Sequence, residues 1–431
     1  MKPPGALFGA GLFILIGKAV LYPMEIPAQA NTLIYLLEQY GFEAYLVGGC
    51  VRDSLLGLAP QDWDVCTSAR PADLLRCFSE KRTLPTGIRH GTITVWESGV
   101  PFEVTSFRID GIYSDRRHPD SIRFTGSLKE DLARRDFTVN AMAFHPQKGI
   151  FDYFGGREDL NEGKLRCVGD PKIRFSEDAL RMLRALRFAA CYGFQIVLET
   201  ADAVHAQHPF LKGVSPERIQ SELSRLLCGR AAGQTLRQFP DVLCTLIPQI
   251  DPAAMPALLP SVCRRLDRCP ASLSLRLAVL LEGCGLDSPV AGAVLSSLRF
   301  DRRTASHVRF LLDTSEEKLP DSPVEVKRQL RRWGAELFFE WIALKQSEEL
   351  SPKKELEKAC ETAKTIQKER QCYQVKDLCI TGSDLTAAGL PEGPAVGKAL
   401  SRLCDQVIEG SLPNERQALL HAALSLYRRD G

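Results

Sequence analysis

The sequence predicts an α+β protein in which a small mixed sheet with helices is followed by a longer, all-helical remainder. In roughly the first 165 residues, short apolar runs rich in β-branched residues alternate with turn residues and short helical segments. Beyond Ser176, apolar residues recur with helical spacing almost to the end of the chain. The chain has 431 residues, which at about 100–200 residues per domain predicts two to four domains.

The predicted sheet elements follow one another from the N-terminus. Apolar spacing predicts a helix over residues 28–40 that ends at Gly41, and the buried strand AYLVGG comes next. Another helix begins at Arg70. The remaining elements are a hairpin of residues 92–96 and 102–107, a polar mobile loop over 108–125, and a strand pair within 140–153.

Proline and glycine clusters such as Asp251-Pro252 punctuate the helical remainder, which has no fixed repeat and no low-complexity tract. The predicted helices span 176–191, 216–228, 232–247, 272–283, 302–313, 323–333, 335–345, 352–369, 395–408 and 415–428.

The composition is that of an ordinary globular protein, with 45% hydrophobic and 25% charged residues. A net charge of +2 predicts no strong overall attraction to nucleic acid, so RNA binding would require local basic patches. The 14 cysteines are scattered and include no C-x-x-C pair. This pattern argues against zinc ribbons and thioredoxin-like chemistry and fits reduced thiols in a cytosol.

Residues 1–23 have the apolar character of a signal peptide, with Lys2 ahead of an apolar run from Ala6 to Tyr22. As a membrane span the run is short of the roughly 20 residues needed, and burying Lys18 would cost about 3 kcal/mol. Translation from Met24 would instead lead through an amphipathic helix directly into the first strand. We therefore expect residues 1–23 to be a non-native or disordered extension.

Asp62 and Asp64 lie two residues apart on the second predicted strand. Side chains alternate in an extended chain, so both carboxylates project from one face and Trp63 from the other. Such a pair suits a hard divalent cation such as Mg²⁺, which takes oxygen ligands and leaves room for substrate phosphates. The alternative is a charged strand end without a ligand.

Gly48-Gly49 follows a strand and opens a helix. Backbone amides at a helix start bind phosphate oxygens, and glycine permits their close approach. Arg52, on the first turn of that helix, is placed to bind a triphosphate. The chain has no P-loop motif and no Rossmann fingerprint. A purely structural tight turn is the alternative.

Two further polar positions accompany these motifs. Glu103, on the second hairpin strand, is a third carboxylate that would activate a hydroxyl or complete a metal site, or else is a surface strand residue. Asp136 and Asn140 precede an apolar strand, where they are able to bond a ribose hydroxyl or lock the neighbouring loop; a salt-bridged strand entry is the alternative.

The segment SEDALRMLRALRFAACYGF predicts an amphipathic helix with Ser176 as its N-cap. Arg181, Arg184 and Arg187 recur every three residues and need anions or aromatic faces nearby. A triphosphate and a stacked base would satisfy them, and Asp178 with Arg181 forms a donor–acceptor edge for a nucleobase. Carboxylate partners elsewhere in the protein are the alternative. The predicted buried face consists of Ala179, Met182, Leu183, Leu186, Ala189 and Ala190.

Five motifs from about Met24 onward resemble, in order, those of the class II tRNA nucleotidyltransferase and bacterial poly(A) polymerase family, within the polymerase-β-type nucleotidyltransferases. They are LVGGCVRDSLLGLAPQDWDVCTS (metal binding), RRDFTVNAMAF (ribose selection), DYFGGREDL (head–neck connection), SEDALRMLRALRFAA (nucleotide selection) and SPERIQSELSRLL (neck stabilisation).

The resemblance implies a catalytic head over residues 24–165, a neck over 166–230, a helical body over 231–345 and a tRNA-binding tail over 346–431. It implies a cytoplasmic enzyme that uses CTP, ATP and the 3′ end of tRNA, without a membrane or an obligate protein partner. The implied site comprises two Mg²⁺ at Asp62 and Asp64, triphosphate contacts from Gly49 and Arg52, sugar contacts near Arg135 and Asp136, and a nucleotide site of Asp178, Arg181, Arg184 and Arg187.

Three reactions compete within this family: full CCA addition, partial addition of CC or A, and poly(A) synthesis. LPTGIRHGTITVW resembles the signature of CCA-adding members, and a loop containing Asp115, Arg116 and Arg117 is present where the family's switch from C to A is thought to depend on one. We therefore expect full CCA addition. A catalytically inert RNA-binding protein is the rival from another class.

Overall fold

The computed structural model describes residues 24–111, 113 and 119–430. The chain divides into two compact units, one ending at Pro248 and the other beginning at Gln249. The predicted N-terminal extension and the predicted loop residues Asp115, Arg116 and Arg117 lie outside the described part. None of the described helices combines the length and the apolar character that a bilayer crossing requires.

The first unit is built on a mixed sheet of seven strands, counted over the described residues, in the order β3-β4-β5-β2-β1-β8-β9. Neighbouring strands are antiparallel except for β2 and β5, which run parallel. The strands are β1 (Ala44–Val47), β2 (Asp64–Thr67), β3 (Thr83–Gly87), β4 (Thr92–Glu97), β5 (Val100–Ser106), β6 (Arg108–Asp110), β7 (Ile122–Phe124), β8 (Met142–His145), β9 (Gly149–Asp152), β10 (Lys164–Leu165) and β11 (Gln195–Ile196).

The strand β2 lies at the centre of this sheet and begins at the predicted metal motif. Its register with β5 places Asp64 opposite Glu103. Asp64 is the first strand residue, whereas Asp62 lies in the loop just before it. The prediction that both aspartates lie on the strand is therefore wrong for Asp62, because Pro60 and Gln61 extend the preceding loop to Trp63.

The segment 108–125, predicted as a loop, contains a short ribbon in which β6 pairs with β7. Polar and turn-forming residues conceal these two strands in the sequence, because each is only three residues long. A second small sheet pairs β10 with β11 in parallel. The hairpin of β4 and β5 and the pair of β8 and β9 confirm the predicted strands.

Helices surround the sheet and continue beyond it to Pro248. The predicted helix over residues 28–40 and the helix that opens at Gly49 are both present. The helices of the first unit are α1 (Ala28–Gln39), α2 (Gly49–Leu55), α3 (Pro71–Cys77), α4 (Leu128–Ala133), α5 (Gly156–Asn161), α6 (Pro171–Glu177), α7 (Leu180–Tyr192), α8 (Leu198–Gln207), α9 (Pro216–Leu227), α10 (Ala232–Leu236) and α11 (Pro240–Leu246).

The prediction of one helix over residues 176–191 is wrong, because α6 and α7 meet there at a break. Asp178 has an extended backbone (φ −140°, ψ 104°), and its Oδ1 accepts a hydrogen bond from the amide of Leu180 at 3.1 Å. Ser176 caps nothing and donates its hydroxyl to the carbonyl of Ile173. Helix α6 starts at Pro171, before the predicted start at Ser176, because Asp170 caps it and proline suits its first turn.

The predicted buried face of α7 is confirmed, since the side chains predicted for it are at most 3% exposed. Burial of this face packs α7 into the first unit and leaves its arginine stripe on the other side. The residues are Ala179, Met182, Leu183, Leu186, Ala189 and Ala190.

The second unit is helical throughout its described residues. The prediction missed α12, α14 and α19; Pro260, inside α12, is typical of a break in a helix. The helices are α12 (Met255–Arg268), α13 (Leu273–Gly283), α14 (Ser288–Ser297), α15 (Arg302–Asp313), α16 (Pro323–Trp333), α17 (Ala335–Ser347), α18 (Lys353–Lys368), α19 (Gly382–Ala387), α20 (Pro394–Glu409) and α21 (Arg416–Asp430).

Gly156 fixes the segment that follows the predicted ribose motif. A Cβ at this position would lie 2.2 Å from the carbonyl oxygen of Thr138, a backbone atom with no room to withdraw. We expect Gly156→Ala to lower the free energy of unfolding of the first unit by about 1–3 kcal/mol, through overpacking. Urea unfolding measures this loss. Gly126→Ala is the matched control, because a Cβ there meets nothing within 4 Å; equal stability of the two variants would contradict the prediction.

Candidate active site

Asp64 marks the chemical centre of the first unit. Burial raises the pKa of its carboxyl group to about 6; the positive charge of Arg135 opposes this shift, and the negative charges of Glu103 and Asp62 add to it. Three carboxylates therefore influence one another at the start of β2. Such a group gains stability from a cation, because a positive charge relieves both the burial and the repulsion.

The residues present fit a hard divalent cation. Asp62 and Asp64 supply carboxylate oxygens, the ligands that Mg²⁺ prefers, and no softer ligand type is needed. Within the described residues, no three His, Cys, Asp or Glu side chains form a group that holds a metal alone. Two carboxylates, with the other positions left to water and phosphate oxygens, are typical of Mg²⁺ at nucleotide sites. Glu103 lies close enough to act on the charge of Asp64, and its role in metal binding or catalysis stays a prediction.

The glycine turn lies beside these carboxylates. Gly48 has φ +80°, and a Cβ there would lie 3.0 Å from Nη1 of Arg135. Both observations explain why glycine occupies this position: the backbone is left-handed, and a guanidinium group packs against it. Arg135 also donates a hydrogen bond of 3.4 Å to Asp131, which is fully buried. Arg135 therefore lies between the turn and Asp64.

Arg52 of α2 is 5% exposed and is held by three side chains. Nε and Nη2 donate to Oδ1 of Asp53 at 2.9 and 2.8 Å, and Nη1 donates to Oδ1 of Asn140 at 2.5 Å. Nη2 also donates to the hydroxyl of Tyr192 at 2.8 Å. The predicted triphosphate residue is therefore already bound to protein groups, and a bidentate contact with phosphate would require it to release one of them.

Asp136 is buried with both carboxylate oxygens occupied. Oδ2 accepts hydrogen bonds from Nε and Nη2 of Arg184 at 2.8 and 2.6 Å, and Oδ1 accepts from Asn140 and from the amide of Phe137. Burial alone would raise the pKa of this carboxyl, but Arg184 and Asn140 outweigh it and hold the pKa well below its usual range. In this structure Asp136 is salt-bridged to Arg184, as the structural alternative describes, and its contact with a ribose stays a prediction.

The other charged groups of the predicted nucleotide site also have protein partners. Asp178 accepts a hydrogen bond of 2.8 Å from Arg218 of α9. Arg181 donates to Glu177 at 2.5 Å, and Arg187 forms an ion pair of 2.6 Å with Glu222. The alternative of carboxylate partners elsewhere therefore describes the arginine stripe in this structure. Its role in binding nucleotide stays a prediction.

Several partners in this network were not predicted from the sequence. Arg218 and Glu222 lie on α9, about 40 residues beyond the groups they hold, and no local spacing connects them. Asp53 follows Arg52 directly, so this ion pair could have been inferred from the sequence. Tyr192 lies four residues beyond Phe188, so both rings lie on one side of α7, where they face Arg52.

Family models match three parts of the chain. They are the poly(A) polymerase head domain over residues 44–166, a probable RNA- and SrmB-binding site of polymerase A over 193–242, and a putative second domain of tRNA nucleotidyltransferase over 274–423. The matched head domain contains the carboxylates, the glycine turn and Asp136. The fold and the site therefore define a nucleotidyltransferase of the polymerase-β type.

Whole-chain comparisons narrow this class. The CCA-adding enzyme of Limosilactobacillus fermentum is 36% identical over 425 residues, which cover 94% of this chain and 98% of the relative. That of Lacticaseibacillus paracasei is 37% identical over 401 residues, 92% and 96% of the two chains. This chain belongs to the family of CCA-adding enzymes.

Solved structures agree with this assignment. The CCA-adding enzyme of Bacillus stearothermophilus in complex with CTP superimposes with a TM-score of 0.74 at 30% identity, covering 93% of this chain and 98% of that one. The Thermotoga maritima enzyme complexed with tRNA shares the fold, with a TM-score of 0.65 at 22% identity, covering 92% of this chain and 94% of that one.

The Asp136–Arg184 pair predicts an acid-dependent stability. A carboxyl whose pKa is lower in the folded than in the unfolded state stabilises the fold above its unfolded pKa of about 3.9, and this contribution is lost as the pH falls. We expect Asp136→Asn to destabilise the first unit by about 3 kcal/mol at pH 7, because Arg184 loses its charged partner. The deficit should shrink below about pH 4, where the parent protein starts to lose the same contribution.

Chemical denaturation at pH 7, 5, 4 and 3 measures the difference. Asp202→Asn, an isosteric change on an exposed residue of α8, serves as the control. A deficit for Asp136→Asn that is independent of pH would show that charge on Asp136 is not its source.

Proposed function

We propose that this chain adds CCA to the 3′ end of tRNA without a nucleic acid template, using CTP and ATP and releasing pyrophosphate. The observation that carries this proposal is the convergence of Asp62 and Asp64, the glycine turn and the arginine-rich helix α7 within one unit. Relatives that bear the name CCA-adding enzyme over nearly the whole chain support it, as does the similarity to a structure that holds CTP.

Nucleotidyltransferases of this family use divalent metal, and we assign Mg²⁺ to Asp62 and Asp64. The bound cation supplies Lewis-acid stabilisation of the charge that develops on the phosphate oxygens. Glu103, opposite Asp64 in the sheet register, adds to the negative potential that favours a cation there.

The chain's own residues orient the reactants for an in-line displacement. The 3′-hydroxyl of the RNA loses its proton to solvent and attacks the α-phosphorus. A new P–O bond forms, the bond from the α-phosphorus to the oxygen bridging to the β-phosphate breaks, and pyrophosphate leaves. The amide of Gly49, at the start of α2, and the positive charge of Arg52 bind the triphosphate. Arg135 and Asp136 lie towards the sugar, where Asp136 holds Arg184 in place.

Helix α7 and the break before it select the nucleotide in this proposal. Asp178 and Arg181 present an acceptor and donors to the edge of the base, and Arg184 and Arg187 bind its phosphate or stack on it. Asp178 is bound to Arg218 and Arg181 to Glu177 in the structure. Nucleotide binding therefore exchanges internal partners for partners on the base, and only a base with matching groups replaces what is lost.

The predicted division into head (24–165), neck (166–230), body (231–345) and tail (346–431) remains our proposal for how the functions are distributed. The head makes the bond, the neck selects the nucleotide, and the body and tail bind tRNA. The neck overlaps the segment matched by the RNA-binding model over residues 193–242. We place the reaction in the cytoplasm, where its triphosphates and tRNA are found.

Poly(A) synthesis is the second candidate, because the models matched by the head and by residues 193–242 are named after poly(A) polymerase.

The lengths of the products distinguish CCA addition, partial addition and poly(A) synthesis. Purified protein is given tRNAs that end at the discriminator base, at C or at CC, with CTP and ATP singly and together. When CTP and ATP are both present, we expect each of the three tRNAs to be extended to a 3′ end of CCA and no further. Long A tracts would support poly(A) synthesis, arrest at CC or extension of the CC substrate alone would support partial addition, and no extension would overturn the enzyme assignment.

The carboxylate pair is tested by charge removal. We expect Asp62→Asn and Asp64→Asn each to lower the rate of incorporation on the order of a thousandfold, equivalent to about 4 kcal/mol of barrier. Binding of tRNA should be nearly unchanged, because these residues hold the cation and not the RNA. Rates come from labelled-nucleotide incorporation at saturating Mg²⁺, and tRNA affinity from filter binding.

Two further variants complete this test. Glu103→Gln probes the third carboxylate, and Glu80→Gln is its control, because Glu80 is an exposed residue outside the site. Near-parental turnover in Asp64→Asn would contradict the metal assignment. A rate for Glu103→Gln equal to that of Glu80→Gln would remove Glu103 from the catalytic group.

A further inference from the structure

Tyr192, the last residue of α7, reaches across to the phosphate turn of the head. Its hydroxyl accepts a hydrogen bond of 2.8 Å from Nη2 of Arg52 and donates one of 3.0 Å to Oδ1 of Asp53. Arg52 and Asp53 lie on α2, 140 and 139 positions earlier in the chain. One hydroxyl thus joins both members of the Arg52–Asp53 ion pair to the helix that carries the predicted nucleotide-selecting residues.

The orientation of the Arg52 guanidinium is almost completely determined. A guanidinium has five N–H groups. The N–H of Nε and one N–H of Nη2 donate to Asp53, and the other N–H of Nη2 donates to Tyr192. One N–H of Nη1 donates to Asn140. Its central carbon lies 4.7 Å from the centroid of the Tyr192 ring and 5.0 Å from that of Phe188. Four N–H groups are therefore committed and one remains.

The guanidinium lies directly beside the turn proposed to bind phosphate. Nη2, the nitrogen bound to Tyr192, is 3.6 Å from the position that a Cβ on Gly49 would occupy. The group that Tyr192 holds is therefore in contact with the start of α2. Rotation of the guanidinium about its own axis would move both its charge and its remaining N–H relative to this turn.

We propose that Tyr192 is a positioning residue that holds Arg52 in the orientation in which it binds the triphosphate of the incoming nucleotide. This inference rests on the proposed function. Without the hydroxyl, Nη2 loses one acceptor and Asp53 loses one donor, so the ion pair loses its hydrogen bonds to α7 and is held less firmly. A phenylalanine ring at this position would still stack on the Arg52 guanidinium, but it would not fix the direction of the Nη2 N–H groups. Tyr192 therefore acts on affinity for the triphosphate and not on the base or on the chemical step.

The test compares Tyr192→Phe with Tyr35→Phe, the same loss of a hydroxyl on an exposed residue of α1. Affinities for CTP, for CMP and for pyrophosphate are measured by calorimetry, and KM and kcat for CTP by incorporation into tRNA. We expect Tyr192→Phe to weaken CTP and pyrophosphate about tenfold, the effect of one hydrogen bond to a charged group. CMP affinity and kcat should stay within about twofold of the parent, and Tyr35→Phe should match the parent throughout.

A double-mutant cycle with Arg52→Lys tests whether the effect passes through Arg52. We expect the double variant to bind CTP no more weakly than Arg52→Lys alone, because the two residues act as one unit. Additive losses, equal losses for CTP and CMP, or parental CTP affinity in Tyr192→Phe would each overturn the inference while the proposed function stands. Failure of the parent protein to bind CTP and to extend tRNA would overturn the proposed function, and the inference with it.

Discussion

Pairing of buried charges is the constraint on which the first unit depends. Each predicted nucleotide-site arginine is bound to a carboxylate: Arg52 to Asp53, Arg135 to Asp131, and the three arginines of α7 to Glu177, Asp136 and Glu222. An unpaired buried charge costs several kcal/mol, so these pairs must form for the unit to fold. The pairs of α7 connect that helix to α6, to Asp136 and to α9, whereas those of Arg52 and Arg135 are local.

This constraint shapes the chemistry as well as the fold. In the proposed function, a triphosphate with its several negative charges must compete with carboxylates that already hold the arginines. The free energy of binding is therefore the difference between arginines bound to the ligand and arginines bound to their own carboxylates. A small difference of this kind depends strongly on which groups the ligand offers. By contrast, the negative charges of Glu103 and Asp62 repel that of Asp64, and Arg135 offsets this repulsion and the burial only in part. The same unit contains arginines that are paired with carboxylates and a carboxylate group that is compensated only in part.

Local features of the chain predicted much of this. Apolar spacing gave the buried face of α7, and alternation gave the hairpin of β4 and β5, because both depend on near neighbours in sequence. The partners of the arginines were not predictable, since Arg218 and Glu222 lie on a separate helix and nothing in their own spacing identifies what they hold. The break at Asp178 was missed because the strong pattern of α7 concealed the earlier cap at Asp170.

Two partners of Arg52 lie far along the chain from it, and this separation matters while the protein is being synthesised. Asn140 follows Arg52 by 88 positions and Tyr192 by 140. A ribosome therefore synthesises the whole sheet before the helix that completes the surroundings of Arg52. Until that helix packs, the charged guanidinium of Arg52 lacks part of its surroundings and favours hydration. The nascent sheet should accordingly remain incompletely packed around α2, and a fragment that ends before α7 should be prone to aggregation.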